Sequence, residues 1–184
     1  EMVKRNVRRN SRTLENSARL IEEGFRCYEQ GNNPGAEKKL RAACAIRPSV
    51  PQAYYNLGYF FYLGGRWDEA EKALKKALEH QPDYSRALFT LASVYMETGQ
   101  LDRAQAKLLA TELLTPDDLD IQLNLGILAL RAGRSEEALD RLDRCIAAEH
   151  NTEAARFHRA TVLQDLGRLD EALVIYRALV ADNL

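Results

Sequence analysis

Apolar residues between positions 51 and 64 recur at i, i+3, i+4 and i+7, through Tyr54, Leu57, Gly58 and Phe61. That spacing predicts a helix with one buried face. Tyr55, Tyr59 and Tyr62 form a second stripe at i, i+4 and i+7, rotated away from the first. Gly65 then supplies a helix stop, and a helical pattern resumes through Ala70, Leu74 and Ala77 until Pro82 ends it. The same arrangement returns every 34 residues, in Gly31, Gly65, Gly99, Gly133 and Gly167, and in Ala36, Ala70, Ala104, Ala138 and Ala172. Pro48, Pro82 and Pro116 keep the interval as well. Three columns in one register, without insertion, define a tandem repeat of helical hairpins. Asp68, Asp102, Glu136 and Asp170 fall near the start of each second helix, where the N-terminal dipole favours a carboxylate, and Pro34 takes that place in the first unit. The units are 17–50, 51–84, 85–118, 119–152 and 153–184, after a basic lead-in over 1–16, and nothing reads as a strand.

The run Tyr54, Leu57, Gly58, Phe61, Gly65, Trp67, Ala70, Leu74, Ala77, Pro82 resembles the tetratricopeptide repeat signature almost column for column. Leu88, Leu91, Ala92, Tyr95, Gly99, Ala104, Leu108 and Pro116 carry it in the next unit. The resemblance implies an all-α fold, a right-handed α-solenoid of antiparallel helix hairpins whose first helices line a concave groove. Some positions depart from the pattern. Glu23 and Arg159 stand where a leucine is usual, Gln122 and Arg156 where a large apolar residue is usual, and His150 replaces a proline. The segment with Leu173, Ile175, Tyr176, Leu179 and Val180 is more apolar than one face needs and lacks a polar capping helix behind it. Two expectations follow: the native protein continues beyond this end, or the end packs against another chain.

The second stripe carries the functional expectation. It recurs as Ile21, Phe25 and Tyr28 in the first unit, Phe89 and Met96 in the third, Leu123, Ile127 and Leu130 in the fourth, and Phe157 in the fifth. By resemblance these columns face the groove, and large aromatics with polar tips suit the anchoring of a partner. The competing reading is packing between adjacent helices. Asn56 and Asn124 share a column from which, in relatives, asparagine bonds the backbone of an extended ligand; the competing reading is an exposed amide with no task. The expected peptide-binding groove therefore comprises Phe25, Tyr28, Tyr55, Asn56, Tyr59, Tyr62, Phe89, Met96, Leu123, Asn124, Ile127 and Phe157. A carboxylate clamp of the kind used by chaperone-tail binders is not expected. Arg86 and Arg131 are the only cations among these columns, while Tyr55 and Ile21 stand where a lysine would help.

Composition and charge narrow the classes. The 184 residues carry a net charge of −1, which argues against nucleic-acid binding through the whole surface. Lys4, Arg5, Arg8, Arg9 and Arg12 against Glu1 and Glu15 make residues 1–16 net +3. That segment offers weak contact to anionic lipid or nucleic acid, a linker or lead-in to the first helix being the plainer reading, and it could lie in a neighbouring groove. No apolar run approaches a membrane span. The composition is of a cytoplasmic kind, although the start at Glu1 leaves room for a missing native N-terminus and targeting segment. Cys27, Cys44 and Cys145 lack metal or disulfide spacing, and His80, His150 and His158 are scattered. Asp117, Asp118 and Asp120 open a helix rather than a calcium loop. No catalytic, metal or cofactor site is expected.

The chain thus reads as a non-catalytic adaptor holding an amphipathic helix or extended apolar segment of another protein. By fold-level analogy the setting is a secretion, pilus or envelope assembly, if the source is bacterial. The alternatives are a scaffold fragment of a larger multidomain or membrane-anchored protein, or a scaffold that self-associates through its C-terminal end.

Overall fold

The structure, a computed structural model, describes residues 2–150 and 152–182, with side chains described from Arg12 onward. Among the described residues the regular elements are ten helices. They are α1 (Met2–Glu29), α2 (Asn33–Ile46), α3 (Pro51–Leu63), α4 (Trp67–His80), α5 (Ser85–Glu97), α6 (Leu101–Leu114), α7 (Leu119–Arg131), α8 (Ser135–Ala147), α9 (Thr152–Asp165) and α10 (Leu169–Asp182). The fold is an all-α solenoid of helical hairpins, one per sequence repeat. α1 runs from within the basic lead-in to Glu29 without a break at residue 16. The side chains of Lys4, Arg5, Arg8 and Arg9 lie outside the described residues.

The helices divide into two compact units, Glu1–Val94 and Tyr95–Leu184. In the first, α1 pairs with α2 and α3 with α4. Its core is built from small residues and leucines: Ala36, Leu40, Ala43, Ala53, Ala70, Leu74 and Ala77 are fully buried. Gly58 faces Leu74 so closely that a Cβ there would lie 2.7 Å from Leu74 Cγ. The missing side chain therefore sets how near α3 and α4 approach. In the second unit α7 pairs with α8 and α9 with α10, and α8 also packs on α9. Leu142, Cys145, Ala155 and Val162 form its sealed centre.

The hairpin turns follow from the glycine column. Gly65 has φ +67°, and its four equivalents lie between +71° and +75°. This left-handed geometry closes the helix end: Gly65 N–H donates to Tyr62 O at 3.0 Å and Arg66 N–H to Phe61 O at 2.9 Å. The acids expected at the second helices do sit in first turns, as Asp68, Asp102, Glu136 and Asp170. Asn32 caps α2 by accepting from Gly35 N–H at 3.0 Å, and Asp118 caps α7 by accepting from Asp120 N–H at 3.0 Å. Between α8 and α9 the proline is absent and Glu149 takes φ +53°, with His150 N–H donating to Cys145 O. A non-glycine residue there holds a costly backbone conformation.

The departures from the repeat pattern are ion pairs and hydrogen bonds between helices. Glu23 on α1 pairs with Lys39 on α2, Arg159 on α9 with Asp143 on α8 at 2.7 Å, and Arg156 with Asp182 at 3.1 Å. Gln122 is 5% exposed, and its amide donates to Glu112 at 2.8 Å while accepting from Arg141 at 2.8 Å. Arg141 reaches Glu112 as well, at 2.9 Å, so a polar triad joins α6, α7 and α8 where apolar packing is usual. Burial pulls the Glu112 carboxyl upward, but the hydrogen bonds from Arg141 and Gln122 outweigh it and hold the group below its ordinary range.

Candidate functional site

The second stripe of α3 is organised as a chain of rings. Tyr55 stacks on Tyr59 with centroids 6.0 Å apart, and Tyr59 on Tyr62 at 6.3 Å. These are neighbours one helical turn apart, so their contact follows from the i, i+4 and i+3 spacing. Tertiary structure extends the run at both ends. Tyr84, just before α5, comes within 5.3 Å of Tyr55, and Trp67, at the start of α4, within 5.7 Å of Tyr62. Phe25 from α1 joins at Tyr59, 6.3 Å away. All six rings are half-buried, with one part in the fold and one part in water. Burial raises the Tyr55 phenol above its ordinary value, against a hydrogen bond to Thr90, and burial likewise raises Tyr84. Both hydroxyls are therefore neutral at pH 7 and able to donate and accept.

The remaining expected groove residues divide by environment. Phe89 and Ile127 are half-buried, and Ile127 packs on the core of the second unit. Phe157 is 50% exposed and meets Tyr176 edge-on at 5.9 Å. Tyr28 is half-buried but turned against the buried Phe60, with centroids 5.8 Å apart. Met96 and Leu123 are buried, at 7% and 6% exposure, and Leu123 belongs to the core of the second unit. Asn56 and Asn124 each turn an amide N–H back onto their own helix, to Gln52 O at 2.7 Å and Asp120 O at 2.8 Å. One of the two donors of each amide is thus already committed.

Trp67 and Tyr84 were not expected in the site. Trp67 read as part of the repeat signature. Tyr84 has no aromatic counterpart in its column, so no period marked it. A second hollow lies on the other face of α3, a cleft of about 360 Å³ lined by Arg41, Tyr54, Leu57, Phe61, Glu69, Lys72, Ala73 and Lys76. Its floor is the first stripe, and Phe61 is held under the guanidinium groups of Arg66 and Arg41, 4.4 and 5.4 Å from the ring centre. Arg66 also bonds Glu69, and it reaches back to Glu37 on α2 at 2.6 Å.

The cysteines and histidines with described contacts sit in packed or paired settings. Burial pushes the Cys44 thiol up to about 11 and raises Cys145 too, which disfavours the nucleophilic thiolate. His80 stacks on Tyr54, His150 meets Asp120 at 2.8 Å, and burial lowers His158, aided by Arg131. Among the described residues no cluster of three His, Cys, Asp or Glu could hold a metal, and no helix is long and apolar enough to cross a membrane.

Hairpins that repeat every 34 residues, each closed by a left-handed glycine, define a helical-repeat solenoid. One tetratricopeptide repeat family model matches residues 28–85 and 123–183, and a second matches 64–118. The chain belongs to the tetratricopeptide repeat family. Proteins built on these repeats are generally non-catalytic modules for protein–protein contact, as adaptors or scaffolds. Among solved structures the chain is similar to a MamA protein, at 18% identity, 91% coverage of either chain and a TM-score of 0.77. It is also similar to PilF of Pseudomonas aeruginosa, at 22% identity, covering 92% of this chain and 77% of that one, with a TM-score of 0.78. A tetratricopeptide repeat protein from Parabacteroides merdae gives 22% identity, 91% and 67% coverage, and a TM-score of 0.79. No curated protein matches the sequence.

Proposed function

We propose that the chain is a non-catalytic adaptor whose α1–α3 face holds an amphipathic helix or extended apolar segment of another protein. The supporting observation is the half-buried run Tyr84, Tyr55, Tyr59, Tyr62 and Trp67, with Phe25 beside it. Rings in this state have already lost rotamer freedom to one another, so covering their wet faces costs little further entropy. Three or four anchors would bury roughly 400–600 Å² of apolar ligand surface, worth about 10–15 kcal/mol before ordering costs. After those costs a net affinity on the order of −8 kcal/mol, or micromolar, is expected.

The test selects helical peptides from a displayed library against the chain and measures the best binder by fluorescence polarisation. Trp67 is the only tryptophan and touches Tyr62, so its emission reports directly on whether a ligand covers the ladder. Tyr59→Ala with Tyr62→Ala should weaken binding at least about tenfold, a loss of 1.4 kcal/mol or more, and abolish the emission change. Undiminished affinity in a double variant with wild-type circular dichroism would refute the proposal.

A further inference from the structure

We propose that the cleft bounded by α2, α3 and α4 is a second binding site, for an acidic segment of a partner protein that carries one large apolar side chain between carboxylates. The repeat supplies its own comparison. Two repeats on, the same seam lies among α6, α7 and α8, and there it is plugged. Arg141 reaches Glu112 at 2.9 Å and Gln122 at 2.8 Å. In the first unit the columns of Arg141, Glu112 and Gln122 hold Ala73, Cys44 and Tyr54. With alanine in place of the arginine the plug is gone, and a hollow of about 360 Å³ stands in the seam with Leu57 and Phe61 in its lining. That volume is at the low end for a ligand pocket, about 300–1,000 Å³, so what enters is a side chain and not a helix.

The rim changes along with the plug. In the second unit the columns of Lys72 and Lys76 hold Asp140 and Arg144, which pair with each other at 2.8 Å. In the first unit both are lysines, exposed and one helical turn apart, so their charges repel. Lys76 has Glu79 only at 4.0 Å, and among the described residues Lys72 pairs with no acid. Glu69, the acid of the lining, is already bonded by Arg66 at 2.6 Å, which holds its carboxyl below the ordinary range. A ligand carboxylate between the two lysines would supply the charge that Asp140 supplies to Arg144. Arg41 stands on α2, the other side of the hollow, where its bond to Glu37 leaves it half in water. Cations on both sides of an apolar floor match acids on both sides of an apolar side chain, and a ligand with a single carboxylate meets only one of them.

The probe is an acetylated and amidated peptide, a leucine–phenylalanine pair with two glutamates on either side, titrated into the isotope-labelled 184-residue chain and followed by amide chemical shifts. Leu57, Lys72, Ala73 and Lys76 should move, and saturate with a dissociation constant on the order of 100 µM, while Phe25 and Tyr84 of the ladder stay in place. Lys72→Gln with Lys76→Gln, at two exposed positions, should weaken binding at least about threefold. Ala73→Arg restores the plug of the second unit and should abolish binding. Should that variant fail to fold by circular dichroism, the lysine pair carries the test. Tyr59→Ala with Tyr62→Ala, which alters the ladder, should leave this affinity unchanged. No shift at about 1 mM peptide, shifts centred on Phe25 and Tyr84, or full affinity in the lysine variant or in folded Ala73→Arg would each overturn the proposal. So would loss of binding in the ladder variant, or equal affinity for free phenylpropionate or for the peptide with glutamines in place of its glutamates.

Discussion

Gly58→Ala should destabilise the chain, although alanine is the better helix former. A Cβ at position 58 would lie 2.7 Å from Leu74 Cγ, 3.0 Å from Leu74 Cδ2 and 3.2 Å from the Leu74 backbone nitrogen. Carbon atoms in ordinary contact sit about 3.5–4.0 Å apart. Turning Leu74 could relieve the first two contacts but not the third, and Leu74 is fully buried with no free space to turn into. The helices must therefore part by several tenths of an ångström. Overpacking of this kind costs about 1–3 kcal/mol, against about 1 kcal/mol gained in helix propensity. A net loss of up to about 2 kcal/mol is expected. Gly126→Ala is the internal control: its Cβ would meet Leu142 side-chain atoms at 3.1 and 3.2 Å and Arg141 Cβ at 3.4 Å, with no backbone atom among the three nearest. There gain and cost should nearly cancel. Ala92 and Ala160 already carry a Cβ in this column. Urea unfolding followed by circular dichroism and by Trp67 emission measures both variants. The Gly58→Ala midpoint should fall, by up to roughly 1 M for a chain of this size. A midpoint at or above wild type, or a larger loss for Gly126→Ala, would show that the α3–α4 distance is not set by this contact.

Glu149→Gly should stabilise the second unit by about 0.5–1 kcal/mol, because position 149 holds φ +53° without a side-chain-free residue; an unchanged thermal midpoint would contradict this. The Glu112 triad predicts acid sensitivity. Its folded carboxyl lies below the ordinary value of 4.5, so its contribution is complete above that value and is lost as pH falls through the lower, folded one. The wild type should lose more of its urea midpoint between about pH 6 and about pH 3.5 than Glu112→Gln does. Glu37, held down first by its hydrogen bond from Arg66, adds to the acid loss of both proteins equally, so only the difference between the two reads Glu112.

The parts of the fold legible in the sequence were those with a period. Glycine stops, acids in first turns and the alanine column each recur at one interval; the first two report local backbone needs, and the alanines a close approach of helices in the core. The ring ladder was legible by half. Tyr55, Tyr59 and Tyr62 share one helix face, so their mutual stacking needs only helical geometry. Phe25, Trp67 and Tyr84 reach them from other elements, and Tyr84 does so from a column without a repeat pattern.

What the amino-acid order determined by itself is therefore the helical hairpin and its glycine-closed turn, because those depend on residues within a few turns of one another. Which stripe residues meet water was decided only by tertiary structure. Met96 and Leu123 follow the same pattern as Tyr62 and Tyr55, yet they are buried. Gln122 sits in a sealed position only because Glu112 and Arg141 converge on it from two other helices. Exposure is a property of what the neighbouring helices bring to a face, and the spacing along one helix carries no record of it.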